Sequence, residues 1–186
     1  MTRILSISGS LRKASQNAVV LRAISRLVPG DCSITLYTGL GNLPLFNPDL
    51  EETEIPSVTD FRNRIRAADG ILIASPEYAH GISGVLKNAL DWVVGSGEFE
   101  GKPVALLNAS MRATHAYDSL EEVLSVMGAR IVQGACVTLP LTSNGIDESG
   151  ILSDREASRI LSGSIAGLYE AIRDLRKVDP DSRSQP

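Results

Sequence analysis

Several residue types that would define a special class of protein are scarce in this chain of 186 residues. It has two cysteines, which excludes a disulfide-stapled scaffold, and its two histidines have no partner at metal-ligand spacing. No apolar run approaches the ~20 residues of a membrane-spanning helix, and Ile4–Ile7 is too short for the core of a signal peptide. We therefore expect a cytoplasmic protein with two buried free thiols.

Acidic residues are missing from the first thirty positions, which carry five basic residues, although the whole chain has a net charge of −4. A basic start on an acidic chain suits a small anion better than nucleic acid, which needs a broad basic face. Accidental spacing of surface charge is the alternative that composition alone leaves open.

Short apolar segments alternate with amphipathic ones, which predicts a parallel sheet with helices on both faces. Strands are predicted at 3–8, 33–37, 70–75, 104–108 and 135–139, with 130–132 as an open extension of the last. Five helices are predicted. Two are expected at 16–28 and 83–94; a second helix should begin at the N-cap pair Ser57 and Asp60, a fourth should end at Gly128, and the last should begin at a capping box over 153–156. We expect one α/β domain over 1–178 and a disordered tail over 179–186.

In such a sheet, ligands bind outside the carboxyl ends of the strands. The loop after the first strand, Ser8–Asn17, is rich in hydroxyl and amide groups and leads directly into a helix N-terminus, which favours an anion. Helix capping by Ser15 or Asn17 explains only one of these donors. The loop lacks GxxxxGK[ST], a nearby cysteine and acidic metal ligands, so it is predicted to hold a phosphate without transferring it.

Two motifs together resemble a known family. GSLRxxSxN follows the first strand, and PEYxxxxxxxLKNAxDW follows the third. Both are typical of the NADPH-dependent FMN reductase family, the flavodoxin-like group that includes quinone, azo-dye and chromate reductases. The resemblance covers about residues 2–175 and implies a doubly wound five-stranded sheet of order 2-1-3-4-5, non-covalent FMN, and a homodimer or homotetramer.

The resemblance also implies which residues bind FMN. Its phosphate would lie on residues of the first loop: Ser10, Arg12, Ser15, Gln16 and Asn17. Its isoalloxazine and ribityl groups would lie beside residues of the third loop and near one residue after the fourth strand: Pro76, Glu77, Tyr78, His80, Gly81 and Ser110. No protein acid or base is assigned, and no metal.

Several of these positions have other readings. Tyr78 could be a packed loop aromatic and Glu77 a structural residue, while Lys87 and Asp91 are interpreted as a helix-stabilising pair. Arg112 would meet nicotinamide phosphates or a subunit interface, and His115 is interpreted as a helix-start residue rather than an acid or base. The chain also has Ala79 where many relatives have Asn, and Ser83 where many have Pro. The loop over 38–56 is too long for a simple connection, so a functional or interface role is expected.

The expected reaction follows from the resemblance. NAD(P)H would reduce bound FMN, and the reduced cofactor would pass electrons to a quinone, flavin or similar small acceptor. Neither nucleic acid nor membrane is an expected partner. One alternative is a flavodoxin-like FMN-binding electron carrier without NAD(P)H oxidation; another is a relative without FMN that is kept for interaction.

Overall fold

A parallel sheet forms the centre of the computed structural model, which describes residues 1–111, 114–141 and 145–178. Its strands are β1 (Thr2–Ser8), β2 (Cys32–Tyr37), β3 (Gly70–Ala74), β6 (Pro103–Asn108), β7 (Arg130–Ile131) and β8 (Val137–Thr138). Two further strands, β4 (Glu77–Tyr78) and β5 (Gly81–Ile82), form a separate antiparallel hairpin. The main sheet has the order β2-β1-β3-β6-β7, with β8 also paired to β6. This confirms the predicted doubly wound order 2-1-3-4-5.

Helices cover both faces of the sheet. They are α1 (Gln16–Ile24), α2 (Pro56–Ala67), α3 (Gly84–Val94), α4 (His115–Val126), α5 (Glu148–Ser153) and α6 (Arg155–Val178). The side chains of β1 alternate between the two cores: Leu5 and Ile7 pack with α2, α3 and α4, whereas Ile4 packs with α1, α5 and α6. No helix in the described ranges combines the length and apolar composition needed to cross a bilayer.

The last strand differs from the prediction, because it is split. A 3₁₀ turn at Gln133–Ala135 separates β7 from β8. Ser164 of α6 donates a hydrogen bond to the carbonyl oxygen of Ala135 at 2.5 Å, which holds the turn against α6. The predicted strand 135–139 is therefore shortened to β8, and the extension left open at 130–132 forms β7.

Helix boundaries also differ in places. The first helix ends at Ile24, about one turn earlier than predicted. Pro56 begins α2, so the predicted cap pair is wrong; Asp60 instead pairs with Arg64 at 3.1 Å. The capping box predicted over 153–156 does not form. Asp154 caps α6 instead, because its carboxylate accepts hydrogen bonds from the first-turn N–H groups of that helix. The Ser83 cap and the Gly128 stop, at φ +76°, are confirmed.

Candidate functional site

The loops that follow three neighbouring strands meet at one edge of the sheet. Ser8 lies beside Ala74, and Ala74 lies beside Leu107, so β1, β3 and β6 end at the same level. Gly9 then passes very close to the third loop: a Cβ at this position would lie 2.7 Å from Ser75 Oγ. Glycine suits this position because any side chain here would have to displace the side chains of Ser75 and Ser83.

The first loop presents positive groups at the start of α1. Ser15 is the N-cap residue, and its hydroxyl accepts a hydrogen bond from the Ala18 N–H at 3.3 Å. The Ser10 hydroxyl accepts one from the Arg12 N–H at 3.3 Å, which leaves its own proton available to a ligand. Arg12 and Lys13 are exposed, and the first turn of α1 has no acidic residue. The loop can therefore bind an anion through charge, helix dipole and hydroxyl donors.

Gln16 adds a buried hydrogen-bond acceptor to this loop of donors. Its amide nitrogen donates to the carbonyl oxygen of Ile146 at 3.4 Å, whereas its Oε1 atom is buried without a hydrogen-bond partner in the described part of the chain. Buried polar atoms are normally satisfied. A ligand with both a phosphate and hydroxyl donors, such as FMN with its ribityl chain, fits the first loop. Asn17, next along, is also buried.

The third loop contains the β4–β5 hairpin, which the sequence analysis missed. Its two-residue turn consists of Ala79 at φ 50° and His80 at φ 60°. Both residues of such a turn need the left-handed conformation, for which Asn-Gly is the usual sequence. Because neither residue is Asn or Gly, the turn gives no local signal and carries backbone strain. The hairpin exposes 53% of Tyr78 to solvent beside Pro76 and Gly81.

Glu77 joins the hairpin to the start of α4. Its Oε2 accepts a hydrogen bond from the Ala116 N–H at 2.9 Å, and its Oε1 lies 3.2 Å from His80 Nδ1. The Ala116 N–H, followed by the His80 contact, lowers the pKa of Glu77 below its ordinary value. Thr114 provides no side-chain cap to α4, so Glu77 takes that role. This geometry supports the structural interpretation of Glu77; a ligand role stays a prediction.

The loop after β6 completes this edge. Ser110 is exposed, and its N–H donates to Asn108 Oδ1 at 3.0 Å. His115 is the first residue of α4, and its ring lies 4.5 Å from that of His80, nearly perpendicular to it. Arg112, like the predicted tail 179–186, lies outside the described residues.

Two residues that the sequence analysis missed fix the long loop over 38–56. Asn88 accepts a hydrogen bond from the Phe46 N–H at 2.7 Å and donates one to the Pro44 oxygen at 2.9 Å. Trp92 Nε1 donates to the same oxygen at 2.8 Å, and its ring contacts the Phe46 ring edge-to-face. The i, i+4 spacing of Asn88 and Trp92 was the available signal, because it places them on one helix face.

The pair predicted within the same motif is confirmed. Lys87 Nζ lies 2.5 Å from Asp91 Oδ1, one turn apart on α3. The long loop also reaches the first loop, since a Cβ at Gly41 would lie 3.4 Å from the Leu11 side chain. The LKNAxDW segment thus stabilises the surroundings of the site through its helix.

A doubly wound parallel sheet of the order 2-1-3-4-5 defines the class of flavodoxin-like proteins. The model of the family NADPH-dependent FMN reductase matches residues 2–143. The chain is 36% identical over 180 residues to the NAD(P)H-dependent FMN reductase PA1204 of Pseudomonas aeruginosa, which covers 94% of this chain and 97% of that protein. It is 39% identical over 181 residues to the 2-hydroxy-1,4-benzoquinone reductase of a Burkholderia species, with 94% and 98% covered.

A solved structure is similar over the same length. The flavoenzyme NAD(P)H:(acceptor) oxidoreductase FerB from Paracoccus denitrificans superposes with a TM-score of 0.77 at 26% identity, covering 94% of this chain and 98% of that chain. The chain belongs to the NADPH-dependent FMN reductase family. It is thus an NAD(P)H-dependent flavin oxidoreductase with FMN as its cofactor, as the sequence motifs predicted.

Proposed function

We propose that the protein oxidises NAD(P)H and reduces a small quinone or similar acceptor at FMN bound on the carboxyl edge of the sheet. The proposal rests on the close approach of Gly9 to Ser75 and Ser83, which brings the anion-binding loop and the hairpin into one site. Relatives named for quinone reduction support the choice of acceptor. The catalytic unit would be the single domain 1–178.

The first loop would hold the FMN phosphate. Arg12 supplies a charged donor, Ser10 and Ser15 supply hydroxyl protons, and Asn17 lies buried next to them. Ser15 also caps α1, so its acceptor lone pair serves the helix while its proton serves the ligand. The buried Oε1 of Gln16 would accept a hydrogen bond from a ribityl hydroxyl.

The hairpin would border the isoalloxazine ring, with Pro76, Tyr78, His80 and Gly81 lining it and Ser110 at the far side. When bound there, FMN would supply the hydride and electron transfer between NAD(P)H and the acceptor. Glu77 would act as a positioning residue, since both of its oxygens hold other protein groups. The exposed face of the ring would receive nicotinamide and acceptor in turn, so a separate nucleotide site is not required.

We further propose that the protein is a cytoplasmic homo-oligomer without nucleic-acid or membrane partners. Its two cysteines are free thiols, as in proteins of reducing compartments. Leu45, 84% exposed, and Val94, 49% exposed, lie on elements joined by Asn88 and are suitable for burial against a second copy. Sedimentation velocity at micromolar concentration tests this: a single monomer boundary would contradict it.

The function is tested by stopped-flow reduction of FMN-loaded protein with NADPH and with NADH, followed by a panel of quinone, azo-dye and flavin acceptors. We expect the flavin absorbance to bleach with the nucleotide and to recover with the quinone. Bound FMN that is not reduced by either nucleotide would favour the electron carrier. Protein that binds no FMN would favour the interaction role and contradict the proposal.

A further inference from the structure

A cavity lies on the α2 side of the sheet, close to where β1 and β2 begin. Its volume is about 230 Å³, and residues of β1, β2 and the last turn of α2 line it. Arg3 pairs in register with Ser33, and Leu5 with Thr35, so these four side chains face the same side of the sheet. Because Ser8 and the site loops follow the other end of β1, this cavity is separate from the proposed FMN site.

Two guanidinium groups border the cavity. Arg3 is exposed, and its backbone is tied to Asp69: its N–H donates to the Asp69 carboxylate at 2.7 Å, and its carbonyl oxygen accepts from the Asp69 N–H at 2.7 Å. Within the described residues, the Arg3 side chain forms no hydrogen bond or ion pair. Arg64 is bound to Asp60 at 3.1 Å, but this pair is half-exposed and therefore weak. The cavity thus has one uncommitted cation and one cation that a ligand can share.

The neighbouring charges leave this cavity positive. Asp69, whose carboxylate accepts a hydrogen bond from the Arg3 N–H, is already paired with Arg176 at 2.6 Å. The negative end of α2 is occupied by Lys102, whose Nζ donates to the Ala68 carbonyl oxygen at 2.8 Å. Repulsion of an anion by the helix end or by Asp69 is therefore reduced.

We infer that this cavity binds a small anion with a compact apolar body, such as an aryl phosphate or aryl carboxylate. Its charged group would lie between Arg3 and Arg64, where charge-assisted hydrogen bonds form. The hydroxyl of Thr35 would donate to the same group, and that of Ser33 would do so by giving up its long hydrogen bond to the Thr2 carbonyl oxygen at 3.5 Å. The apolar body would lie against Leu5 and Ala67, which line the cavity. This site also accounts for Arg3, whose side chain has no partner among the described residues that explains a cation at this position.

The test is calorimetric titration of phenyl phosphate into FMN-saturated protein, in which FMN already occupies any phosphate site of the first loop. We expect saturable binding with one equivalent, weaker binding of inorganic phosphate, and none of phenol, which lacks the charge. Arg3→Gln and Arg64→Gln should each weaken binding about tenfold or more. Thr35→Val, which keeps the shape of the side chain, should weaken it by a smaller factor.

Arg155→Gln is the matched control, because Arg155 is an exposed arginine on α6, on the other face of the sheet. It removes the same charge and should leave phenyl phosphate binding unchanged. Retained FMN binding shows that each variant is folded. Absence of saturable binding in the parent protein would overturn the inference. So would Arg3→Gln and Arg64→Gln variants that bind phenyl phosphate as tightly as the parent, or an Arg155→Gln variant that loses as much affinity as they do.

Discussion

Replacement of Asn88 by alanine should destabilise the protein through one particular backbone group. Asn88 is the partner of the Phe46 N–H, whereas the Pro44 oxygen keeps a second donor, Trp92 Nε1. The variant therefore leaves one N–H without a partner and one oxygen still satisfied. An unsatisfied buried donor costs about 1–3 kcal/mol. Because Phe46 is half-buried, we expect a loss of about 2 kcal/mol.

The measurement is the free energy of unfolding from urea denaturation, with the melting temperature as a second observable. A loss of this size corresponds to a decrease of roughly 4–8 °C. Asn63→Ala is the matched control. Asn63 is an exposed residue of α2 whose contact with Arg66 is 3.5 Å long, so the change in helix propensity is the same while no buried partner is lost.

The shared Pro44 oxygen predicts non-additivity. Trp92→Phe alone removes the indole donor, but Asn88 still satisfies the oxygen. The double variant leaves the oxygen without a donor, so its loss should exceed the sum of the single losses by about 1 kcal/mol. Additive losses, or an Asn88→Ala variant as stable as Asn63→Ala, would refute the assigned anchoring role.

Three further predictions concern the proposed FMN site. Arg12→Ala should weaken FMN binding by about 1.5–3 kcal/mol, measured by flavin fluorescence. Arg22→Ala is the control and should have no effect, because Arg22 pairs with Glu148. If Arg12→Ala binds FMN as tightly as the parent protein, Arg12 is not part of the site. Ala79→Asn should raise the free energy of unfolding by about 0.5–1 kcal/mol, since Asn tolerates the left-handed turn; a decrease would contradict strain at this turn. The native contacts lower the pKa of Glu77 below 4.5, so its contribution is present above that pH and is lost on acidification. Glu77→Gln should flatten the fall in melting temperature between about pH 5 and 3, and an unchanged slope would argue against the Ala116 contact.

Local sequence was sufficient to predict the buried strands, because segments such as Gly70–Ala74 are short continuous apolar runs, as expected of a central parallel strand buried on both faces. It was not sufficient for the last strand. The turn that splits it is held by Ser164, 29 positions away, and no local pattern carries that contact. The helix stop at Gly128 was predictable for the opposite reason, since the left-handed φ of a C′ glycine is a local property.

The candidate site likewise has residues that local sequence identifies and contacts that depend on distant parts of the chain. The donors of the first loop could be listed from sequence, because hydroxyl, amide and guanidinium groups before a helix have a direct chemical meaning. The assignment of each donor to FMN stays a prediction. The second partner of Glu77 could not be predicted, since Ala116 follows 39 positions later and contributes only a backbone N–H. The anchoring by Asn88 likewise depends on a loop 42–44 positions earlier.

The split last strand also limits how copies of this protein can polymerise. Growth by strand addition needs a receptive edge on both sides of the sheet, and long exposed edges are the hazardous ones. On one side, β7 and β8 each span two residues and the Gln133–Ala135 turn interrupts them. On the other side, β2 spans six residues. A chance edge-to-edge encounter through β2 would therefore join two molecules and stop there, because the part of the sheet that the structure describes offers no second edge long enough to continue a fibril.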